Sequence, residues 1–287
     1  MTSVLERTSL YLKMIKISHS VFALPFAFVG ALLAADGLPS LNKIIWITIA
    51  MVGARSGAMG LNRIIDRRID AHNPRTSNRE IPSGEIKVGD AMFFTAVSLG
   101  LMVFASYELN KLCFTLSPVA IAILVLYSFT KRFTWASHFV LGLAISGAPL
   151  GAWIAIRGSL DAEILPLAIA VICWLAGFDI LYALQDINFD ESYGLFSVPR
   201  RFGIGRSLII SRSLHLLTFG LFVVTGAIFH LGIWFFIGLA IVGSLLIYEH
   251  SLVKQDDLSK LNMAFFNMNG YISITILTFT VISLMTK

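Results

Sequence analysis

Two groups of side chains have the types and spacing to hold a cation. In "NRIIDRRID" Asn62, Asp66 and Asp70 recur every four residues, and in "GFDILYALQDINFDESYG" Asp179, Asp186 and Asp190 stand seven and four apart. On continuous helices the first three project within about 80° of one another and the second three within about 40°. Carboxylates gathered in this way repel one another unless something positive lies between them. Mg2+ is the natural candidate, because it is held by one or two carboxylates and completes its octahedron with water and phosphate oxygens. The implied substrate is a diphosphate. For the first stripe a plainer reading stays open, in which Arg63, Arg67 and Arg68 pair with the two Asp as an interfacial ion network.

The following loops supply complementary charge. Arg75 and Arg79 lie in "NPRTSNREIPSG" just beyond Asp70, and Lys131 and Arg132 lie in "YSFTKRF". Guanidinium and ammonium groups bind phosphate oxygens through charge-assisted hydrogen bonds. Each of these cations is also explained by the general excess of Lys and Arg on the cytoplasmic side of membranes. Arg55 is deeper, seven residues before Asn62 on the same face. It either neutralises the acidic stripe or anchors a substrate carboxylate bidentately.

The elements that position these residues are membrane spans. The 287 residues are 56% hydrophobic and 14% charged, well beyond what a soluble core needs. Apolar runs long enough to cross a bilayer fall near 17–36, 44–65, 89–107, 112–130, 136–156, 163–185, 208–228, 231–249 and 265–285. The expected fold is therefore all-α, nine transmembrane helices in a single domain over 1–287. With the N-terminus in the cytoplasm, sixteen Lys and Arg fall on inner segments and four on outer ones, which sets that orientation. The net charge of +5 is then a membrane signature, and no nucleic-acid partner is expected. Cys113 and Cys173 sit singly in separate spans, so neither a disulfide framework nor a thiolate metal site is expected. An ionised Asp costs about 2.5–3.5 kcal/mol near a helix centre, so intramembrane carboxylates persist where they face a cavity with partners.

The stretches "RSGAMGLNRIIDRRID", "RTSNREIPSG", "YSFTKRFTWASHFVLG" and "FDILYALQDINFDESYG" make the chain resemble the UbiA superfamily of intramembrane prenyltransferases over essentially its whole length. The resemblance implies nine helices around a central cavity. It implies Mg2+ and a polyprenyl diphosphate held by Asn62, Asp66, Asp70, Asp186 and Asp190 beneath cytoplasmic caps. Asp179, Tyr182, Arg79, Lys131 and Arg55 match further positions typical of the aromatic-acid branch. The expected reaction is transfer of a polyprenyl group to the ring of an aromatic acid, 4-hydroxybenzoate first, in quinone biosynthesis. Asp66, Asp186 and Lys131 would assist loss of diphosphate with Arg75 and Arg132 nearby, and Tyr182 would stabilise the allylic cation through its ring. The polyprenyl tail calls for a groove open to membrane lipid. A multi-pass protein of a bacterial inner membrane, its site facing the cytoplasm, is expected.

The chain departs from the 4-hydroxybenzoate enzymes where it reads "GLFSVPRRFG", with Phe196, Ser197 and Val198 in place of Lys-Ser-Thr, at Glu80, and at His138 where Gln is frequent. This keeps a second acceptor open, a futalosine-route or naphthoate precursor of menaquinone. A cation-coupled transporter also uses intramembrane carboxylates, but these clusters lie at one membrane face and no broken helix is evident. A CDP-alcohol phosphotransferase is set aside by the missing D-G-x-x-A-R core.

Overall fold

A computed structural model describes residues 4–16, 20–263 and 267–287. Among these the chain is helical throughout, with α1 (Val4–Met14), α2 (Ser20–Ala35), α3 (Leu41–His72), α4 (Val88–Leu109), α5 (Lys111–Thr130) and α6 (Ser137–Arg157). After these come α7 (Leu165–Ala183), α8 (Ile187–Tyr193), α9 (Val198–Ile228), α10 (Ile233–Leu252), α11 (Leu261–Met263) and α12 (Asn269–Met285).

Seven segments are long and apolar enough to cross a membrane: α3, α4, α5, α6, the α7–α8 unit, α9 and α10. The first and last expected spans appear as α2 and α12, of 16 and 17 residues. Residues 17–19 of the first and 265–266 of the last lie outside the described residues.

The helices close a ring in which α2 packs on α6 and α12, α3 on α4, α6 on α7, α7 on α9, and α10 on both α9 and α12. Its core sits between α2, α6, α7, α9, α10 and α12, around Phe26, Trp174 and Phe222. α7 is apolar all round and 72% of its span is buried, against 17–44% for the others, as expected of a helix enclosed by others, with Leu165 and Ile169 exposed at its start. α3, which carries the first stripe, is drawn against α4 by small residues. A Cβ on Gly53 would stand 2.7 Å from the Ser98 carbonyl oxygen, so a glycine is needed for that approach.

Three expectations change. The acidic residues after Gly177 do not lie on one continuous α-helix, because residues 184–186 form a 3-10 turn between α7 and α8. Each 3-10 residue turns about 20° further than an α-helical one, so about 60° of phase accumulates, which widens the spread of the three Asp from about 40° to about 80°. Helix breaks do exist. One is this turn, and the other is at Gly203, whose φ of 77° interrupts α9; both lie at the end of the bundle that carries the acidic stripes. Finally, α1 is a helix ahead of the first expected span. Its Met14 and Ile15 are buried against Ile81, Ile86 and Ala91, and Tyr11 stacks on Phe94 with ring centroids 5.0 Å apart. It straps the loop between α3 and α4.

Candidate active site

The first stripe lies on the last three turns of α3, as its four-residue spacing requires. Asn62 Nδ2 donates to Asp66 Oδ2 at 3.0 Å, which leaves the Asn62 amide oxygen for another partner. Asp66 is 1% exposed and takes two cations from the loop after α5, Lys131 Nζ at 2.6 Å and Arg132 Nη2 at 2.8 Å. Arg132 is fixed in turn by the Ser128 and Ile65 carbonyls. Asp70 receives Arg79 Nη1 on both oxygens at 2.8 Å and the Thr76 hydroxyl at 3.2 Å. Among the described residues the ion-pair partners of Asp66 and Asp70 are thus these loop cations. Arg63 instead donates its Nε to the Met14 carbonyl, and Arg67 donates to the Ile64 carbonyl. The interfacial network of Arg63, Arg67 and Arg68 does not form.

The second group lies opposite. Asp186 accepts from Asn73 Nδ2 at 3.1 Å and from Arg75 through Nε at 2.9 Å and through Nη2. Arg75 Nη1 also donates to the Tyr182 hydroxyl at 3.0 Å, and its guanidinium lies 5.1 Å from that ring's centroid. Asn73 caps α3 with its backbone and accepts Arg75 N–H on Oδ1, so the end of one stripe delivers a cation to the other. Asp190 is buried and accepts from Ser197 Oγ at 2.8 Å. Ser197 is also the N-cap of α9, accepting from Arg200 N–H, with Pro199 in the first turn. Phe196 N–H donates to the Lys131 carbonyl at 2.8 Å, which joins the loop after α5 to the loop after α8.

Asp179 has a partner of its own, His138 Nδ1 of α6 at 2.7 Å. Arg55 lies deeper on α3 within electrostatic reach of Tyr127, and Tyr127 is also within reach of Asp66 and Asp179. The buried Nε of Arg55 has no hydrogen-bond partner among the described residues. A buried guanidinium with an unused donor is a seat for an anion. Beside Arg132, a cavity of about 590 Å³ is lined by Arg67, Arg68, Phe129, Tyr193 and Leu195.

Several residues at the site carry no signal in the acidic pattern. Asn73, Ser197 and Tyr127 reach it only through loop and helix packing. Lys16 follows α1 with a left-handed φ of 48°. Burial, then the charges of Arg63, Arg79 and Arg75, pushes its ammonium down to about 8. Glu80 acts in the opposite direction, and burial remains the largest cause. The one sequence hint was the run of basic residues around the first span.

The profile of the UbiA prenyltransferase family matches residues 23–271. A curated relative, the 4-hydroxybenzoate octaprenyltransferase of Pseudomonas fluorescens, is 33% identical over 81% of this chain and 78% of its own. The apo structure of a UbiA homologue from Aeropyrum pernix superposes with a TM-score of 0.84 at 30% identity, covering 92% of this chain and 97% of that one. A UbiA homologue from Archaeoglobus fulgidus bound to DMAPP and Mg2+ superposes with a TM-score of 0.71 at 20% identity, over 96% of this chain and 99% of that one, and so shares its fold. Family profile, relatives and fold agree with the helical bundle: this chain belongs to the UbiA prenyltransferase family, and it is a membrane-embedded prenyltransferase.

Proposed function

We propose that this prenyltransferase moves a polyprenyl group from its diphosphate onto the ring of an aromatic acid, with 4-hydroxybenzoate as the acceptor. The observation that carries this reading is the pairing of Asp66, Asp70 and Asp186 with Lys131, Arg132, Arg79 and Arg75 at one end of the bundle. Three carboxylates for metal are paired with four cations for phosphate, and each set holds the other's place. The buried Arg55 supports an aromatic carboxylate as the second ligand.

The donor set suits Mg2+. Among the described residues no three His, Cys, Asp or Glu side chains form a closed cage, and Mg2+ needs none, since water and substrate phosphates complete its shell. Asn62, Asp66, Asp70, Asp186 and Asp190 would hold it. When bound it supplies charge stabilisation to the departing diphosphate. Arg75, Arg79, Lys131 and Arg132 turn from carboxylate to phosphate oxygens and share that task. The Tyr182 ring, freed of Arg75, faces the allylic carbon as it becomes cationic.

We place the whole chain in one domain with nine spans, counting α2 and α12, which lie at or just under the lower limit for crossing a bilayer. The N-terminus and the acidic site lie on the cytoplasmic side of a bacterial inner membrane, and the tail of the donor extends into lipid. The distribution of Lys and Arg supports this orientation.

The test is product formation by the detergent-purified protein with Mg2+, geranyl diphosphate and 4-hydroxybenzoate, beside an EDTA control and Asp66→Ala. Metal-dependent 3-geranyl-4-hydroxybenzoate is expected. Diphosphate binding without product redirects the acceptor to a menaquinone precursor. Loss of both activities refutes the transferase.

A further inference from the structure

His138 stands in the first turn of α6, 3% exposed, with both ring nitrogens in use. Val198 N–H donates to its Nε2 at 3.3 Å. A backbone amide can only donate, so Nε2 carries the lone pair and the ring proton sits on Nδ1, 2.7 Å from Asp179 Oδ2. The imidazole is a neutral relay with one donor and one acceptor, and its tautomer is set by the first turn of α9. Ser197, the residue before Val198, holds Asp190, so one helix cap orders both an acidic-motif carboxylate and this relay.

Asp179 is not sealed by the pairing. Its side chain is 23% exposed, and among the described residues its Oδ1 accepts no hydrogen bond. Tyr127 is within electrostatic reach of Asp179, Asp66 and Arg55 together, so Asp179 shares a neighbour with the first acidic stripe and with Arg55. On the transferase reading above, we infer that Asp179 Oδ1 accepts the hydrogen bond of the acceptor's ring hydroxyl, and that His138 is the positioning residue that aims it. Arg55 and Asp179 are then anchors of opposite sign for the two ends of a hydroxylated aromatic acid. A carboxylate that draws on the phenolic proton also raises electron density at the ring carbon beside the hydroxyl, where the prenyl group is to attach. A methyl ether offers no proton and leaves Oδ1 unpaired at the site, which is the strongest form of discrimination a pocket has.

The relay has a chemical signature. Gln carries one donor and one acceptor at similar reach and can serve both Asp179 and Val198; Leu fills the space and serves neither. The full-length protein is assayed with Mg2+, geranyl diphosphate and 4-hydroxybenzoate, as wild type, His138→Gln, His138→Leu and Asp179→Ala. Binding of 4-hydroxybenzoate and 4-methoxybenzoate is measured separately with an unreactive thiolodiphosphate in place of the donor. His138→Leu is expected to raise the acceptor KM at least about tenfold, or about 1.4 kcal/mol, with the donor KM within about twofold. His138→Gln is expected to recover the acceptor KM to within about threefold of wild type. Wild type is expected to favour the phenol over the ether at least about tenfold, and Asp179→Ala to bind them alike. An unchanged acceptor KM in His138→Leu, equal damage from Gln and Leu, or undiminished phenol preference in Asp179→Ala overturns the assignment. If His138→Leu fails to fold, the Asp179→Ala preference decides. Wild type that forms no metal-dependent product refutes the transferase reading instead, so the two failures are distinct.

Discussion

A metal ion that takes Asp186 has to displace Arg75, and this competition has a measurable sign. Arg75 places Nε 2.9 Å from Oδ1 and Nη2 on Oδ2, while Asn73 remains as a neutral donor. The pair is partly open, with side chains 31% and 18% exposed. It therefore lies between a surface ion pair, worth about 0–1 kcal/mol, and a sheltered charge-assisted bond, worth about 1.5–3 kcal/mol. Taking about 1–2 kcal/mol, Arg75→Ala is expected to tighten Mg2+ binding about 5- to 30-fold in the absence of diphosphate. The same change removes a guanidinium from the phosphate seat and is expected to weaken thiolodiphosphate binding at saturating Mg2+ at least about tenfold. Isothermal titration of the metal alone, then of the diphosphate analogue, reads the two effects separately. The opposite signs are the diagnostic feature. A metal affinity that falls or stays unchanged in Arg75→Ala refutes the idea that Arg75 holds the place of a cation at Asp186.

Asp66→Ala and Asp186→Ala are each expected to lower turnover at least about a thousandfold while the protein still inserts and purifies, and full activity in either defeats the two-motif reading. Arg55→Ala is expected to raise the KM for the aromatic acid about tenfold or more and to leave the KM for the prenyl diphosphate nearly unchanged; steady-state kinetics with each substrate varied in turn checks this. Gly53→Ala is expected to cost about 1–3 kcal/mol, because its Cβ meets the Ser98 carbonyl at 2.7 Å and the Met102 amide nitrogen at 2.8 Å, and a thermal unfolding curve in detergent measures the loss. Lys16 has a folded pKa of about 8 against an ordinary value of 10.5. Its charge is thus a cost to the folded protein below pH 8, and that cost disappears as pH rises from 8 to 10.5. Relative to Lys16→Met, wild type is expected to gain stability across that window, and parallel pH profiles of the two proteins would show that Lys16 is not crowded.

Local sequence determined the helices and the first acidic stripe. A period of four places Asn62, Asp66 and Asp70 on one side of any α-helix, and α3 runs unbroken through them. Apolar runs placed the spans, and the basic residues of the following loops marked the right cations. Pairing was another matter. Arg63, Arg67 and Arg68 are the nearest cations to Asp66 in the chain, yet the ion pairs come from Arg79, Lys131 and Arg132. Arg67 and Arg68, at one and two positions, point to other faces, and Arg63, at three, donates to the Met14 carbonyl instead, whereas a folded loop can bring a distant residue directly over a carboxylate. The second acidic group misled for a related reason. Its spacing presumed a continuous helix, and the 3-10 turn at 184–186 adds about 60° of phase between Asp179 and Asp190. Which partner each then meets, Arg75 or His138, depends on the course of the loop after α3 and on the packing of α6 against α7. His138, Asp179 and Val198 come from three helices 41 and 60 residues apart in pairs. No local periodicity encodes a contact of that range; only the closed bundle brings those three groups within hydrogen-bonding distance.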